Sequence, residues 1–255
     1  MKLFLLKRKT LAVLACVLAA AVMFAVVNAP LAVRASAAKR QLPIYCVQRD
    51  QKMLSISFDA AWGNEDTQSL IDILGKYDVK ATFFVVGDWV DKYPESVKAL
   101  SDAGHEVMTH SSHHDHFNGL SSEEIVADLN AGCDKIEAVT GVRPTLFRPP
   151  YGEYDDHVIA ATRSLGIEPI QWDVDSLDWK DLEAPEIVKR VTTKVQPGSI
   201  VLFHNAAKHT PEALPTILET LLQEGYTFVP ISQLIIQGEY GVDYTMDHTG
   251  KQCPA

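Results

Sequence analysis

Cysteine is scarce in this chain, four in 255 residues, and only Cys46, Cys133 and Cys253 lie beyond residue 38. An odd count excludes a complete disulfide framework as the source of stability. Cys46 and Cys253 flank the body of the chain and are the pair available for a bridge, whereas Cys133 falls mid-helix as a small apolar residue. Acid is missing altogether before Asp50, and base is short afterwards. The first 38 residues hold five of the 23 Lys and Arg and none of the 33 acids, which leaves 18 against 33, a net charge of −15, on the rest. So acidic a body is unsuited to nucleic acid or anionic lipid. It suits a neutral substrate, or one that gains positive charge on reaction. Two motifs are also lacking. No glycine-rich phosphate loop follows the first strand-like run, which argues against an open nucleotide-binding sheet, and no Glu follows His110, which excludes an H-E-x-x-H metalloprotease helix.

The amino terminus has what an export segment needs. Lys2, Lys7, Arg8 and Lys9 precede an uncharged run over residues 10–33, long enough to span a bilayer. Ala35-Ser36-Ala37 offers an A-x-A cleavage site. The run is longer than a usual signal core and Pro30 lies close to the site, which favours an uncleaved anchor with its basic end inside and the body outside. Cleavage near Ala37 would instead secrete the protein. The chain thus divides into a signal peptide or membrane anchor over 1–38, a linker over 39–52, a body over 53–237, and a tail over 238–255. The tail shows no strong period and reads as disordered.

Within the body, apolar runs of strand type alternate with helical spacing. Strands are predicted over 54–58, 81–86, 106–109, 146–147, 168–172, 200–203, 226–229 and 231–236. Helices are predicted over 66–77, 94–103, 121–140, 155–165, 185–195 and 211–224, with Pro94 at a first turn and Gly104, Gly141 and Gly225 as stops. Such alternation gives parallel strands joined by helical crossovers. The expected fold is α/β, a distorted (β/α) barrel of about seven units.

Five polar clusters follow five of the apolar runs. Asp59-Ala60-Ala61-Trp62-Gly63 is the first and His110-Ser111-Ser112-His113-His114 the second. Arg148-Pro149-Pro150-Tyr151-Gly152, Asp173 to Trp179, and His204-Asn205 complete the set. Acids, imidazoles and an arginine placed just past strand ends are what a barrel enzyme needs, because its site lies at that rim. His110 and His114 are four residues apart and can present nitrogens to one metal ion; a merely solvated polar loop is the plainer reading. Asp59 is a candidate base or ligand, or a loop cap. Arg148, held by two prolines, can clasp a carboxylate, as an ordinary structural ion pair also would. Asp173, Asp175 and Asp178 cannot all be ionised side by side without cationic partners. His204 with an Asp partner is a general acid near neutral pH.

Taken together and in this order, the clusters resemble the polysaccharide deacetylase family, the NodB-homology domain of carbohydrate esterase family four, over about residues 52–237. The phrases around Asp59 and Asp173 to Trp179 resemble, more narrowly, the sporulation-associated deacetylases of Gram-positive spore formers. The resemblance implies a metal-dependent hydrolase that removes N-acetyl groups from cell-wall glycan, with zinc, cobalt or another divalent ion held by His110 and His114. It implies Asp59 as base, Arg148 as its restraint, and His204 as acid with basicity adjusted by Asp178. The Tyr151 N–H would face the oxyanion, and Trp179 and Leu202 would line a pocket for the acetyl methyl. Expected partners are an N-acetylated glycan and, through the first segment, the membrane. One position departs from the family pattern: Ala60 stands where a second acid completes the metal ligands. Three outcomes follow, namely that Asp59 moves to the metal, that Glu65, Asp66 or Asp115 fills the gap, or that catalysis is weak. The alternative function is an inactive barrel that binds glycan; a deacetylase of O-acetyl esters would use the same site.

Overall fold

The computed structural model describes residues 13, 17–19 and 40–255. Val13 and residues 17–19 are helical and exposed; the rest of the expected signal or anchor over 1–38 lies outside the described residues. Among the described residues no helix is long and apolar enough to cross a membrane.

From residue 41 the chain forms one α/β unit. Strand β1 (Cys46–Val47) lies inside the expected linker and is followed by β2 (Met53–Ala60) and helix α1 (Thr67–Lys76). Next come β3 (Thr82–Val85), α2 (Gly87–Lys92), α3 (Pro94–Asp102), β4 (Glu106–Thr109) and the long α4 (Ser122–Thr140). Then follow β5 (Leu146–Phe147), α5 (Asp156–Ser164), β6 (Glu168–Pro169), β7 (Val174–Asp175), α6 (Ala184–Thr192) and β8 (Ile200–His204). The chain ends with α7 (Thr210–Gln223), β9 (Thr227–Phe228), α8 (Ile231–Leu234), β10 (Tyr244–Met246) and β11 (Lys251–Pro254).

Seven strands pair in the order β6-β5-β4-β3-β2-β8-β7, every neighbour parallel, and β9 adds to the start of β2. The result is the expected parallel α/β arrangement as an open half-barrel. The gap beyond β6 is taken by the segment before β2: Ile44 pairs with Ile170 and Cys46 bridges to Ser199.

Alternation along β2 sorts its side chains. Leu54, Ile56, Phe58 and Ala60 belong to the main apolar cluster, together with Leu70 and Leu74 of α1 and Leu214, Ile217, Leu218 and Leu221 of α7. Each such fully buried side chain contributes about 1.5–3 kcal/mol of transfer free energy. Ser55, Ser57 and Asp59 point to the other face. There a second cluster of Ile44, Phe84, Met108, Leu146, Ile170, Ile200, Ile231, Leu234, Tyr244 and Met246 forms. Because α8, β10 and the residues before β2 supply much of that cluster, the polar groups collect at the opposite, carboxyl-terminal end of the strands.

Four expectations need correction. Strand β2 runs on to Ala60, so Asp59 lies within the ladder rather than beyond it. Residues 231–236 hold the short helix α8 instead of a strand, started by Pro230 at φ −56° and fixed where the Ile231 N–H donates to Thr82 Oγ1 at 2.9 Å. The tail expected to be disordered forms β10 and β11, which pair with each other, β11 also pairing with β1, and Gln252 is buried in it. Cys46 and Cys253 are both free thiols. In the ladder Cys46 faces Lys251 and Cys253 faces Thr245, so the two cysteines are not opposed.

Candidate functional site

Register brings the first two groups together. Asp59 on β2 is the direct partner of His204 on β8, so both side chains leave the same end of adjacent parallel strands on one face. Arg148 follows β5, and its N–H donates to the Thr109 carbonyl at 3.1 Å. The guanidinium is 0% exposed, packed 4.2 Å over the Phe84 ring, and its Nη1 donates to Asp59 Oδ1 at 2.7 Å. Nη2 donates to the Gln171 carbonyl at 3.3 Å. A cation buried so deeply is tolerable only against an anion. Burial works against charge on Asp59, but Arg148, with His110 and His204, overrides it and holds the carboxyl below its usual range.

The histidine loop is built by its neighbours. Gly87 and Asp88, opening α2, donate their N–H groups to the carbonyls of Ser111 and Ser112, and Asp128 on α4 accepts the Ser112 N–H at 2.8 Å. Gly132 on α4 lets the helix approach: a Cβ there would stand 3.1 Å from the Ser111 carbonyl. Ser111 and His114 both take left-handed φ values, 75° and 61°, and the His114 N–H donates to Ser111 Oγ at 2.8 Å. Backbone strain of this kind persists where the surroundings over-determine it, as at active sites. His110 hydrogen-bonds through Nδ1 to the Arg148 carbonyl at 2.6 Å, which makes Nδ1 the protonated nitrogen and leaves the Nε2 lone pair 3.6 Å from Asp59 Oδ2. Burial lowers the His110 pKa to about 4, against the pull of Asp59, so the ring is neutral at physiological pH. Burial lowers His114 likewise. The two rings lie edge to face, centroids 4.9 Å apart, and His114 Nδ1 is buried without a hydrogen-bond partner.

On the other side, His204 hydrogen-bonds through Nδ1 to Asp178 Oδ1 at 2.8 Å, and its own N–H donates to Asp178 Oδ2 at 2.8 Å. Thr210 Oγ1 and the Trp179 N–H also donate to this carboxylate, at 2.7 and 2.9 Å. Burial opposes a charge on His204, yet the Asp178 contact outweighs it and raises the pKa above the ordinary value. A histidine so held has its protonated form favoured and can give a proton to a leaving group.

Asp173 and Asp175 do not join the site. Asp173 accepts from Ser199 Oγ and the Ile200 N–H, and Asp175 accepts from the Leu177 N–H. Leu202, buried, lies two residues before His204 on the same face of β8. Trp179 stands 56% exposed on the turn that carries Asp178. Tyr151, at φ 59°, sets its 55% exposed ring 4.5 Å from His114. Sequence reasoning missed the partnership of Trp89 and Asn205, both of which donate to the Trp62 and Gly63 carbonyls. It also missed Thr210 as a partner of Asp178. Only the apolar-then-polar spacing of His204-Asn205 hinted at the first.

These groups fit half of a zinc site. His110 Nε2 and the His114 ring, whose Nδ1 has no hydrogen-bond partner, are two imidazole donors, but Ala60, 1% exposed, packs in the main apolar cluster. Glu65 and Asp115 are exposed, and Asp66 accepts the Ala206 N–H at 2.8 Å. Among the described residues no three of His, Cys, Asp or Glu are placed to share an ion. The three-ligand zinc of catalytic sites does not fit these residues.

The sequence profile of the family named polysaccharide deacetylase matches residues 47–170. The chain is 36% identical over 188 residues to the peptidoglycan-N-acetylmuramic acid deacetylase PdaC of Bacillus subtilis, a match covering 74% of this chain and 40% of that protein. It is 32% identical to a peptidoglycan-N-acetylglucosamine deacetylase of Bacillus cereus, covering 74% of this chain and 91% of the other. Among solved structures, BA3943 of Bacillus anthracis, described as a CE4 family pseudoenzyme, is 38% identical with a TM-score of 0.73, covering 75% of this chain and 68% of that one. A mutant of BA3943, 40% identical, is described as having restored enzymatic activity.

Proposed function

This chain belongs to the polysaccharide deacetylase family, and from that premise we propose that it hydrolyses the N-acetyl groups of amino sugars in bacterial cell-wall glycan. The observation that carries the reading is the Asp59–His204 pair, set side by side by strand register, each backed by its own buried partner. Asp59, kept ionised by Arg148, takes the proton from the attacking water. His204, whose protonated form Asp178 favours, gives its proton to the departing amine. The amide C–N bond breaks, and the products are acetate and a free amino sugar. Leu202 and Trp179 take the acetyl methyl, and the Tyr151 N–H faces the developing oxyanion. The product amine is cationic at neutral pH, and the body's net charge of −15 receives it well. In the family a divalent ion, zinc or cobalt, would polarise the amide; here His110 and His114 are the donors open to one. The basic start and apolar run of the first 38 residues support export, with the body outside the membrane, and the phrases around Asp59 and Asp173 to Trp179 support a part in the wall changes of spore formers.

A second reading has its own support. Ala60 replaces an acid, and a similar protein is described as a pseudoenzyme; a barrel that binds glycan without cleaving it would look the same.

Acetate release by the full chain from peptidoglycan fragments and N-acetylglucosamine oligomers separates the two, with zinc, cobalt and chelator arms. Release that disappears in His204→Ala supports hydrolysis, and its dependence on chelator shows whether two imidazoles hold an ion. No release from any substrate, with zinc-dependent release appearing only in Ala60→Asp, would rule out hydrolysis by the native chain and leave glycan binding as the reading.

A further inference from the structure

Trp62 is the most exposed aromatic side chain beside the site, at 65% against 56% for Trp179 and 55% for Tyr151. Its indole lies 5.9 Å from the His114 ring, centroid to centroid. Tyr151 packs 4.5 Å from the same His114, and His116 stacks on Tyr151 at 4.2 Å with 13° between the planes. Four rings thus form one continuous row, Trp62–His114–Tyr151–His116, in which His114 also meets His110 and Trp62 is the end ring on the side away from Tyr151.

The turn that carries Trp62 is held firmly. Trp89 Nε1 donates to the carbonyls of Trp62 and Gly63 at 3.0 and 2.6 Å. Asn205 Nδ2 donates to the same two carbonyls at 2.5 and 2.7 Å, and Asn205 Oδ1 accepts the Ala61 N–H at 3.2 Å. Both side chains are buried. Two interior side chains fixing a turn whose own side chain faces water present that side chain rather than pack it. A preorganised aromatic loses little freedom when a ligand settles on it, and open aromatic surface beside a polar cleft marks a binding site.

What would settle there is constrained by charge and shape. A body of net charge −15 repels an acidic lipid surface. The negative face of an aromatic ring attracts the weakly positive C–H face of a pyranose ring. We infer that Trp62 is the stacking platform for the sugar next to the one whose acetamide enters the site, so that the protein selects glycan chains over single sugars. The inference rests on the glycan reading proposed above and holds whether or not the bound glycan is cleaved.

Calorimetric titration of the full chain with N-acetylglucosamine and its trimer and pentamer tests it, alongside Trp62→Ala and Trp62→Phe. The wild type is expected to bind the oligomers more tightly than the monomer. Trp62→Ala is expected to weaken oligomer binding about tenfold, the size of one aromatic contact, with monomer binding and melting temperature unchanged, and Trp62→Phe to restore most of the loss. Equal binding of every length by wild type and Trp62→Ala would overturn the platform and leave the glycan reading standing. Equal weakening of monomer and oligomers would overturn the placement beyond the first sugar. Absence of binding by the wild type, peptidoglycan fragments included, would sink the glycan reading and the platform with it.

Discussion

At Asp59 a substitution removes a base and strands a cation. Arg148 is fully buried and its one charged hydrogen-bond partner is that carboxylate. Asp59→Asn is therefore expected to abolish turnover and to lower stability by about 3 kcal/mol, the order found when one member of a buried pair is lost. His204→Ala differs in kind. Asp178 keeps the donors of Thr210, the Trp179 N–H and the backbone at position 204. Turnover should fall by about 10²–10⁴ while stability changes by only about 1 kcal/mol. Urea midpoints for both variants check the contrast. Wild-type stability in Asp59→Asn would mean that Arg148 draws its compensation from elsewhere.

Among the elements, α4 decides where the histidines sit. Its start is secured by a capping box, the Glu124 N–H donating to Ser121 Oγ and the Ser121 N–H to Glu124 Oε2, and Asp128 and Gly132 on it meet the loop. Propensity alone would favour alanine over glycine by about 1 kcal/mol in a helix interior. At Gly75 of α1 nothing lies within 4 Å of an added Cβ, so Gly75→Ala should raise the melting temperature by a few degrees. At Gly132 the added Cβ would press on the Ser111 carbonyl and Thr109 Oγ1 at 3.1 Å. Gly132→Ala is expected to lower the melting temperature instead and to cut activity by displacing His110 and His114. Matching gains at both positions would show that the loop yields freely.

For the whole molecule, the tail is structural. Removing residues 239–255 takes Tyr244 and Met246 from the cluster around Ile44, Ile231 and Leu234, deprives the Ile236 backbone of its two hydrogen bonds to Gln252, and uncovers the edge of β1. A loss of about 3 kcal/mol or more is expected, of the size of deleting large buried side chains; an unchanged melting temperature would contradict it. Acid sensitivity is a second global property. His105 is buried, its Nδ1 accepts the Ala81 N–H at 3.2 Å, and burial lowers its pKa to about 4. The unfolded chain protonates this ring near 6.5, whereas the native chain does so only near 4, so the unfolded state binds more protons between those values. Stability should fall as pH drops through that window, and His105→Asn should flatten the fall measured by thermal melts from pH 7 to 4.

Position along the chain was enough to reveal the alternating α/β pattern and to mark Asp59, His110, His114, Arg148 and His204, because each stands out against the apolar run before it, whereas Asp178 was one of three acids that only the family resemblance told apart. Hydrophobic periodicity is local, and so are these signals. Pairings are not. That Asp59 answers to Arg148 and His204 to Asp178, that Asp173 is held instead by Ser199 and the Ile200 N–H, and that the tail closes the core are settled by contacts between residues far apart in sequence. The same holds for Ala60, whose methyl the sequence marks as a missing ligand. Only packing shows that no other acid has come forward to replace it: Glu65 and Asp115 are turned to solvent, Asp66 Oδ2 accepts the Ala206 N–H, and among the described residues no third acid joins the two histidines.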